Sequence, residues 1–198
     1  MRALWIVALV VLVAVVTVTR FWPTIVRVEV FGHQHLSRTD VLRVANIAPG
    51  DPLLWVTRFR VRGLAAEPWV VQARVTRHWP DTVAISVLER VPVISDGVLA
   101  WAADGTALSG ADPQALAGLP RLAGWGTPRL SESLEVLAML AGRGVRVITY
   151  GPEGFEVVLA DVVLFTPSVD ALRAQWSAFE SQRGGRVAVY PWGVSSAP

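Results

Sequence analysis

Residues 68–92 read Pro68-Trp69-Val70-Val71-Gln72-Ala73-Arg74-Val75-Thr76-Arg77-His78-Trp79-Pro80-Asp81-Thr82-Val83-Ala84-Ile85-Ser86-Val87-Leu88-Glu89-Arg90-Val91-Pro92. Two alternating runs flank one turn. In Val70–Thr76, Val71, Ala73 and Val75 fall on one face, with Gln72, Arg74 and Thr76 on the other. In Thr82–Arg90, Val83, Ile85 and Val87 form the inner set. A period of two over such lengths predicts half-buried strands. Between them, His78-Trp79-Pro80-Asp81 is turn chemistry: proline fixes φ, and the Asp side chain bonds nearby backbone.

Upstream, Thr24–Phe31 also alternates, with Val26, Val28 and Val30 opposite Arg27 and Glu29, and Gly32 ends the run. Ser37 stands three residues before Asp40, the spacing of a helix cap, and Val41, Leu42 and Ala45 repeat at helical intervals. Asn46 and Pro49-Gly50-Asp51-Pro52 break that helix. A second helix is expected over Arg58–Glu67, with Val61, Leu64 and Ala65 inward, stopped by Pro68. The order strand, helix, helix, strand, strand predicts an α+β unit over residues 24–92, with two helices covering one face of a three-stranded sheet.

The chain opens differently. Ala3–Thr19 is an unbroken run of apolar and Thr residues. Carried to Trp22 it makes a helix about 30 Å long, the thickness of a bilayer core. Trp5 and Trp22 stand where interfacial aromatics belong, and Arg20 can extend its guanidinium to the headgroups. The run ends Val16-Thr17-Val18-Thr19-Arg20, which lacks the small-x-small pattern of a cleaved signal peptide. Residues 3–22 are therefore read as a membrane anchor behind a short tail at 1–2.

Residues 93–190 read as a second module. Val98–Leu108 is a pair of strands around Asp104-Gly105. Ser131 is a candidate cap for a helix carrying Leu134, Leu137, Ala138 and Ala141. Strands are expected at Val145–Tyr150, Phe155–Ala160 and Val162–Phe165, then a helix opening at Thr166-Pro167-Ser168, then a last strand at Arg186–Tyr190. Residues 191–198 are read as a tail.

Composition narrows the function. All 18 basic residues are Arg, against 16 acids, and Cys is absent. Without Arg2 and Arg20 the remaining body is neutral, so it lacks the electrostatic footprint of a nucleic-acid binder. Thiol nucleophiles and Cys-held metals are excluded. No G-x-S-x-G, P-loop or H-E-x-x-H pattern occurs. His33 and His35 lack a third ligand, His78 reads as a turn residue, and Glu153 and Glu156 read as solvated carboxylates. No catalytic residue, cofactor, metal or small-molecule substrate is indicated. Arg58, Arg60 and Arg62 read as a solvated helix edge, with lipid headgroups or an acidic partner as the functional alternative.

A membrane anchor followed by this unit resembles the FtsQ/DivIB family of bacterial cell-division proteins. The resemblance rests on Val28-Glu29-Val30-Phe31-Gly32, Gly50-Asp51-Pro52-Leu53-Leu54, Arg77-His78-Trp79-Pro80-Asp81-Thr82 and Glu89-Arg90-Val91-Pro92. Leu119-Pro120-Arg121-Leu122-Ala123-Gly124 resembles a further family motif. The resemblance implies a POTRA domain followed by a β domain. It implies a non-enzymatic scaffold with its N-terminus inside and its body extracytoplasmic at the division septum. The implied partners are small bitopic proteins of the FtsB and FtsL type, and through them the septal peptidoglycan synthase. By position, Arg186, Val187, Ala188, Val189 and Tyr190 are the implied partner-binding edge, with Trp192 as an aromatic anchor; the alternative is that this strand completes the sheet with a frayed tail beyond. Glu89 and Arg90 are candidates for the junction between modules. The other class kept open is a POTRA-bearing binder of polypeptides in envelope assembly or secretion.

Overall fold

A computed structural model of the chain describes residues 2–57, 59–182 and 184–197. It divides into two compact units, Met1–Arg90 and Val91–Pro198. The first begins with α1 (Arg2–Phe21), whose Leu4–Phe21 stretch is long and apolar enough to cross a membrane and is unburied by the rest of the chain. Then come β1 (Arg27–Phe31), α2 (Arg38–Ala45), a 3-10 turn at Leu53–Trp55, α3 (Arg62–Ala65), β2 (Val70–His78) and β3 (Thr82–Glu89). The sheet order is β1-β3-β2, with β1 parallel and β2 antiparallel to β3. Val83, Ile85 and Val87 of β3 face Val41 and Ala45 of α2 and Leu64 of α3 in one buried cluster. Gly32 ends β1 at φ +78, and a Cβ there would overlap the Val87 carbonyl. Glycine is the residue that meets both conditions.

The cap of α2 forms as its spacing predicts. The Asp40 N–H donates to Ser37 Oγ (3.1 Å), and the Ser37 hydroxyl donates to Asp40 Oδ2 (2.6 Å). That hydroxyl, and then Arg43, hold the Asp40 carboxyl below its ordinary pKa. A depressed carboxylate favours the fold above the unfolded pKa, and the contribution fades as pH falls through the folded value. Ser37→Ala is expected to cost about 1 kcal/mol, read as faster amide exchange in α2.

The expected helix at Arg58–Glu67 shrinks to α3. β-branched and aromatic residues (Val56, Thr57, Phe59, Val61) precede it and Gly63 lies within it, all poor helix formers. Arg60 instead donates to Asp51 Oδ2 (2.8 Å) and the Asn46 carbonyl (2.7 Å). Arg58 lies outside the described residues. Three inward assignments also fail. Val26 precedes β1 and is exposed, Ala65 is exposed at the end of α3, and Val71 is 51% exposed because the β2 register shifts between Val70 and Gln72, so Val70 is buried instead.

The second unit contains one sheet in the order β12-β11-β10-β9-β8-β7-β4-β5-β6. Its elements in chain order are β4 (Pro92–Ser95), β5 (Ala100–Ala102), β6 (Ala107–Leu108), α4 (Pro113–Ala117), β7 (Arg121–Gly124), α5 (Leu130–Met139), β8 (Val147–Gly151), β9 (Gly154–Val158), β10 (Val162–Thr166), α6 (Val169–Ala174), α7 (Trp176–Glu180), β11 (Gly185–Tyr190) and β12 (Gly193–Ala197). The core gathers Val136 and Leu140, Ile148, Phe155, Leu164, Leu172, Phe179, Val187 and Val189. Ser168 caps α6 by accepting from the Ala171 N–H (3.2 Å). Ser131 does not cap α5. A 3-10 turn at Thr127–Arg129 leads into that helix, and Ser133 donates to the Arg129 carbonyl (3.0 Å). The last expected helix is two, divided at Gln175 (φ −107, ψ 21). Residues 193–197, expected as a tail, form β12.

Candidate partner-binding edge

β11 takes its alternation from Arg186-Val187-Ala188-Val189-Tyr190. Val187 and Val189 point into the core, and Arg186, Ala188 and Tyr190 point to the opposite face. The expectation that this strand is the edge is corrected by its pairing. β11 lies parallel to β10 on one side and antiparallel to β12 on the other. Proline at Val189 would therefore break an interior strand. The sequence signal for β12 was weak because Gly193-Val194-Ser195-Ser196-Ala197 has little β-propensity and follows a proline. What holds it is the hairpin. Pro191-Trp192 connects Tyr190 to Gly193, which stand directly opposite each other, and Gln175 Nε2 donates to the Pro191 carbonyl (3.1 Å).

That geometry fixes which backbone groups are free to pair outward. A two-residue loop closes on a hydrogen-bonded pair, Tyr190 and Gly193. Pairs then alternate, so residues 193, 195 and 197 bond to β11. Val194 and Ser196 aim their N–H and C=O groups away from the sheet. β12 is the last strand on its side, and the other edge, β6, has two residues. Edges are commonly blunted by charge or proline, and the five residues of β12 contain neither. By contrast β2, an edge of the first sheet, carries Arg74 and Arg77.

Next to this edge lies an aromatic step. Trp192 is 81% exposed and stacks on Tyr190 (5.2 Å between centroids, planes 8° apart), and Tyr190 meets Phe165 at 5.9 Å. Glu156, Phe165, Arg186, Tyr190 and Ser195 line a shallow depression of about 340 Å³. Arg186 stands 3.9 Å from Glu156. The structure thus brings the sequence-predicted residues 186–190 and 192 together on one hairpin. The residues reasoning missed are Val194 and Ser196, whose backbone is the open one. The cue available was the two-residue Pro-Trp turn.

The candidate junction residues are bonded within the first unit. Glu89 accepts from the backbone N–H groups of His35 (2.7 Å) and Leu36 (3.0 Å). Arg90 donates to the carbonyls of Pro68 (2.9 Å) and Val70 (2.6 Å). His35 stacks on Trp69 at 3.6 Å. His78 ends β2, one residue before the turn where it was expected. Trp5, Arg20 and Trp22 stand in or just past α1, near its two ends. Among the described residues, no three His, Asp or Glu side chains group as a metal site.

Residues 24–90 match the family model described as the POTRA domain, FtsQ-type. Curated relatives agree. Cell division protein FtsQ of Mycolicibacterium smegmatis is 44% identical over 68 residues, 34% of this chain and 20% of the relative. FtsQ of Geobacter sp. is 35% identical over 66 residues, 33% of this chain and 24% of the relative. FtsQ of Escherichia coli is 30% identical over 66 residues, 31% of this chain and 24% of the relative. Each match spans about a quarter or less of the relative's length. Residues 24–90 are a POTRA domain of the FtsQ type, similar to the matched stretch of the FtsQ cell division proteins.

Proposed function

We propose that the chain is a single-pass, non-enzymatic scaffold of the divisome, anchored by α1 with its N-terminus inside and its body outside the cytoplasmic membrane at the septum. Its open β12 edge takes up an extended segment of a small bitopic partner of the FtsB or FtsL type, and this links early division proteins to septal peptidoglycan synthesis. The observation that carries the reading is an FtsQ-type POTRA domain set directly behind an apolar 20-residue helix. The unblunted β12 edge supports strand addition as the mode of binding: backbone groups supply affinity, and the Tyr190–Trp192 step supplies a side-chain anchor.

Ser196→Pro tests it. The substitution removes one outward N–H and places a ring on the edge, without removing a bond to β11. Partner affinity by calorimetry is expected to fall about tenfold or more, with the unfolding midpoint nearly unchanged. Unchanged affinity sinks the strand-addition mode. A uniform envelope distribution of an N-terminal fluorescent fusion, rather than a midcell ring, sinks the division role.

A further inference from the structure

The chain leaves α1 without a linker. Trp22 still donates its N–H to the Val18 carbonyl (2.9 Å), and the next residue, Pro23, is buried in the POTRA domain. The Pro23 carbonyl accepts from the Leu53 N–H (2.9 Å), and the Ile25 N–H donates to the Asp51 carbonyl (2.8 Å). The Val26 N–H donates to the Asp81 carbonyl (2.8 Å). Two loops are therefore held against residues 23–26: the stretch ending in the 3-10 turn, and the β2–β3 turn. Arg77 joins them by donating to the Leu54 carbonyl (3.1 Å).

Each loop carries an exposed tryptophan two residues from its bonded position, within about 8 Å along the chain. Trp55 is 47% exposed and Trp79 is 63% exposed. Trp22 and Phe21 are exposed beside them at the end of α1. The POTRA domain's remaining tryptophan, Trp69, is buried. Every exposed tryptophan of residues 20–90 thus gathers at the one end of the domain from which the apolar helix departs. Exposed Arg27 and Arg77 belong to the same end; of the acids there, Asp51 is paired with Arg60 and Asp81 accepts from the Thr82 hydroxyl (3.0 Å). Indole rings partition to the layer between headgroups and acyl chains, and guanidinium groups bind anionic headgroups.

We propose that this end of the POTRA domain seats on the bilayer surface, with Trp55 and Trp79 in the headgroup layer. The proposal rests on α1 being a membrane span. The occupant is a phospholipid surface because the helix that crosses it is continuous with the domain. Trp79 of the Trp-Pro-Asp turn then serves as a second, noncovalent membrane attachment.

The chain has no Cys, so single Cys variants of the full protein can be spin-labelled uniquely. In vesicles of phosphatidylglycerol and phosphatidylcholine, Thr57→Cys and His78→Cys probe the two loops with both tryptophans intact. Gln72→Cys lies six residues up β2, about 20 Å away. Val13→Cys reports the span. The expected result is a several-fold loss of access to an aqueous nickel relaxant at 57 and 78 relative to 72, with position 13 in the hydrocarbon. Adding Trp55→Ser and Trp79→Ser to the His78→Cys variant is expected to restore that access. Equal access at 57, 72 and 78 with position 13 buried in lipid overturns the seating and leaves the anchor standing. Aqueous exposure at 13 overturns both. Protection at 78 that persists without the two tryptophans overturns their role.

Discussion

Phe155→Ala is expected to cost the second unit about 3–5 kcal/mol, the largest loss from any single truncation in that sheet. Phe155 lies on β9, between β8 and β10, and is fully buried. Its ring meets Tyr150 at 4.9 Å and shares one cluster with Leu164, Leu172 and Val187. No close-packed neighbour can collapse far enough to fill a benzyl-sized hole. Support for β10 passes on to β11 and β12, so the variant should lose both its cooperative urea transition in this unit and any affinity carried by the β12 edge. Phe155→Leu keeps most of the volume and should cost less than about 1.5 kcal/mol. If the alanine variant unfolds at the wild-type urea concentration, the described core is not what holds this unit.

Glu89→Ala is expected to destabilise the POTRA domain by about 2–4 kcal/mol, from two charge-assisted bonds lost to the His35 and Leu36 N–H groups. Those donors sit in the loop that enters α2, so its amide exchange should rise first, ahead of global unfolding. Glu89→Gln keeps one acceptor oxygen but turns an amide NH2 toward a donor, and should fall between. Exchange at Leu36 unchanged in both variants would remove Glu89 from the fold's supports. The Glu-Arg pair at the end of β3 thereby gains a physical account. Successive residues of a strand point to opposite sides, so Glu89 fastens the β1–α2 loop while Arg90 fastens the carbonyls around the start of β2.

The POTRA domain was largely legible because its signals are local and mutually consistent. The Ser37–Asp40 cap, the end of α2 at Asn46, the Val83-Ile85-Val87 face and the Asp81-bounded turn each read correctly from neighbours in sequence. α3 failed because its extent is set by Arg60 reaching Asp51 and Asn46, partners no periodicity reveals. In the second unit, β4 and β7 meet at the single pair Ser95–Arg121, so their place in the sheet depends on tertiary pairing. The candidate edge was displaced by one strand for the same reason: β12 is specified by the hairpin ahead of it and by Val194 packed on the core, rather than by an alternating run of its own.

The parallel pairing of β1 with β3 also bears on synthesis. Arg27 stands opposite Thr82, so the first strand to follow the apolar helix has its only sheet neighbour 55 residues later. At about 5–20 residues per second, translation leaves β1 without that neighbour for roughly 3–11 s. Non-local pairing of this kind also slows closure once both strands exist. The nascent chain therefore holds an alternating Val-rich segment open at the point where it leaves the apolar helix, and the domain completes only after Glu89 has been made.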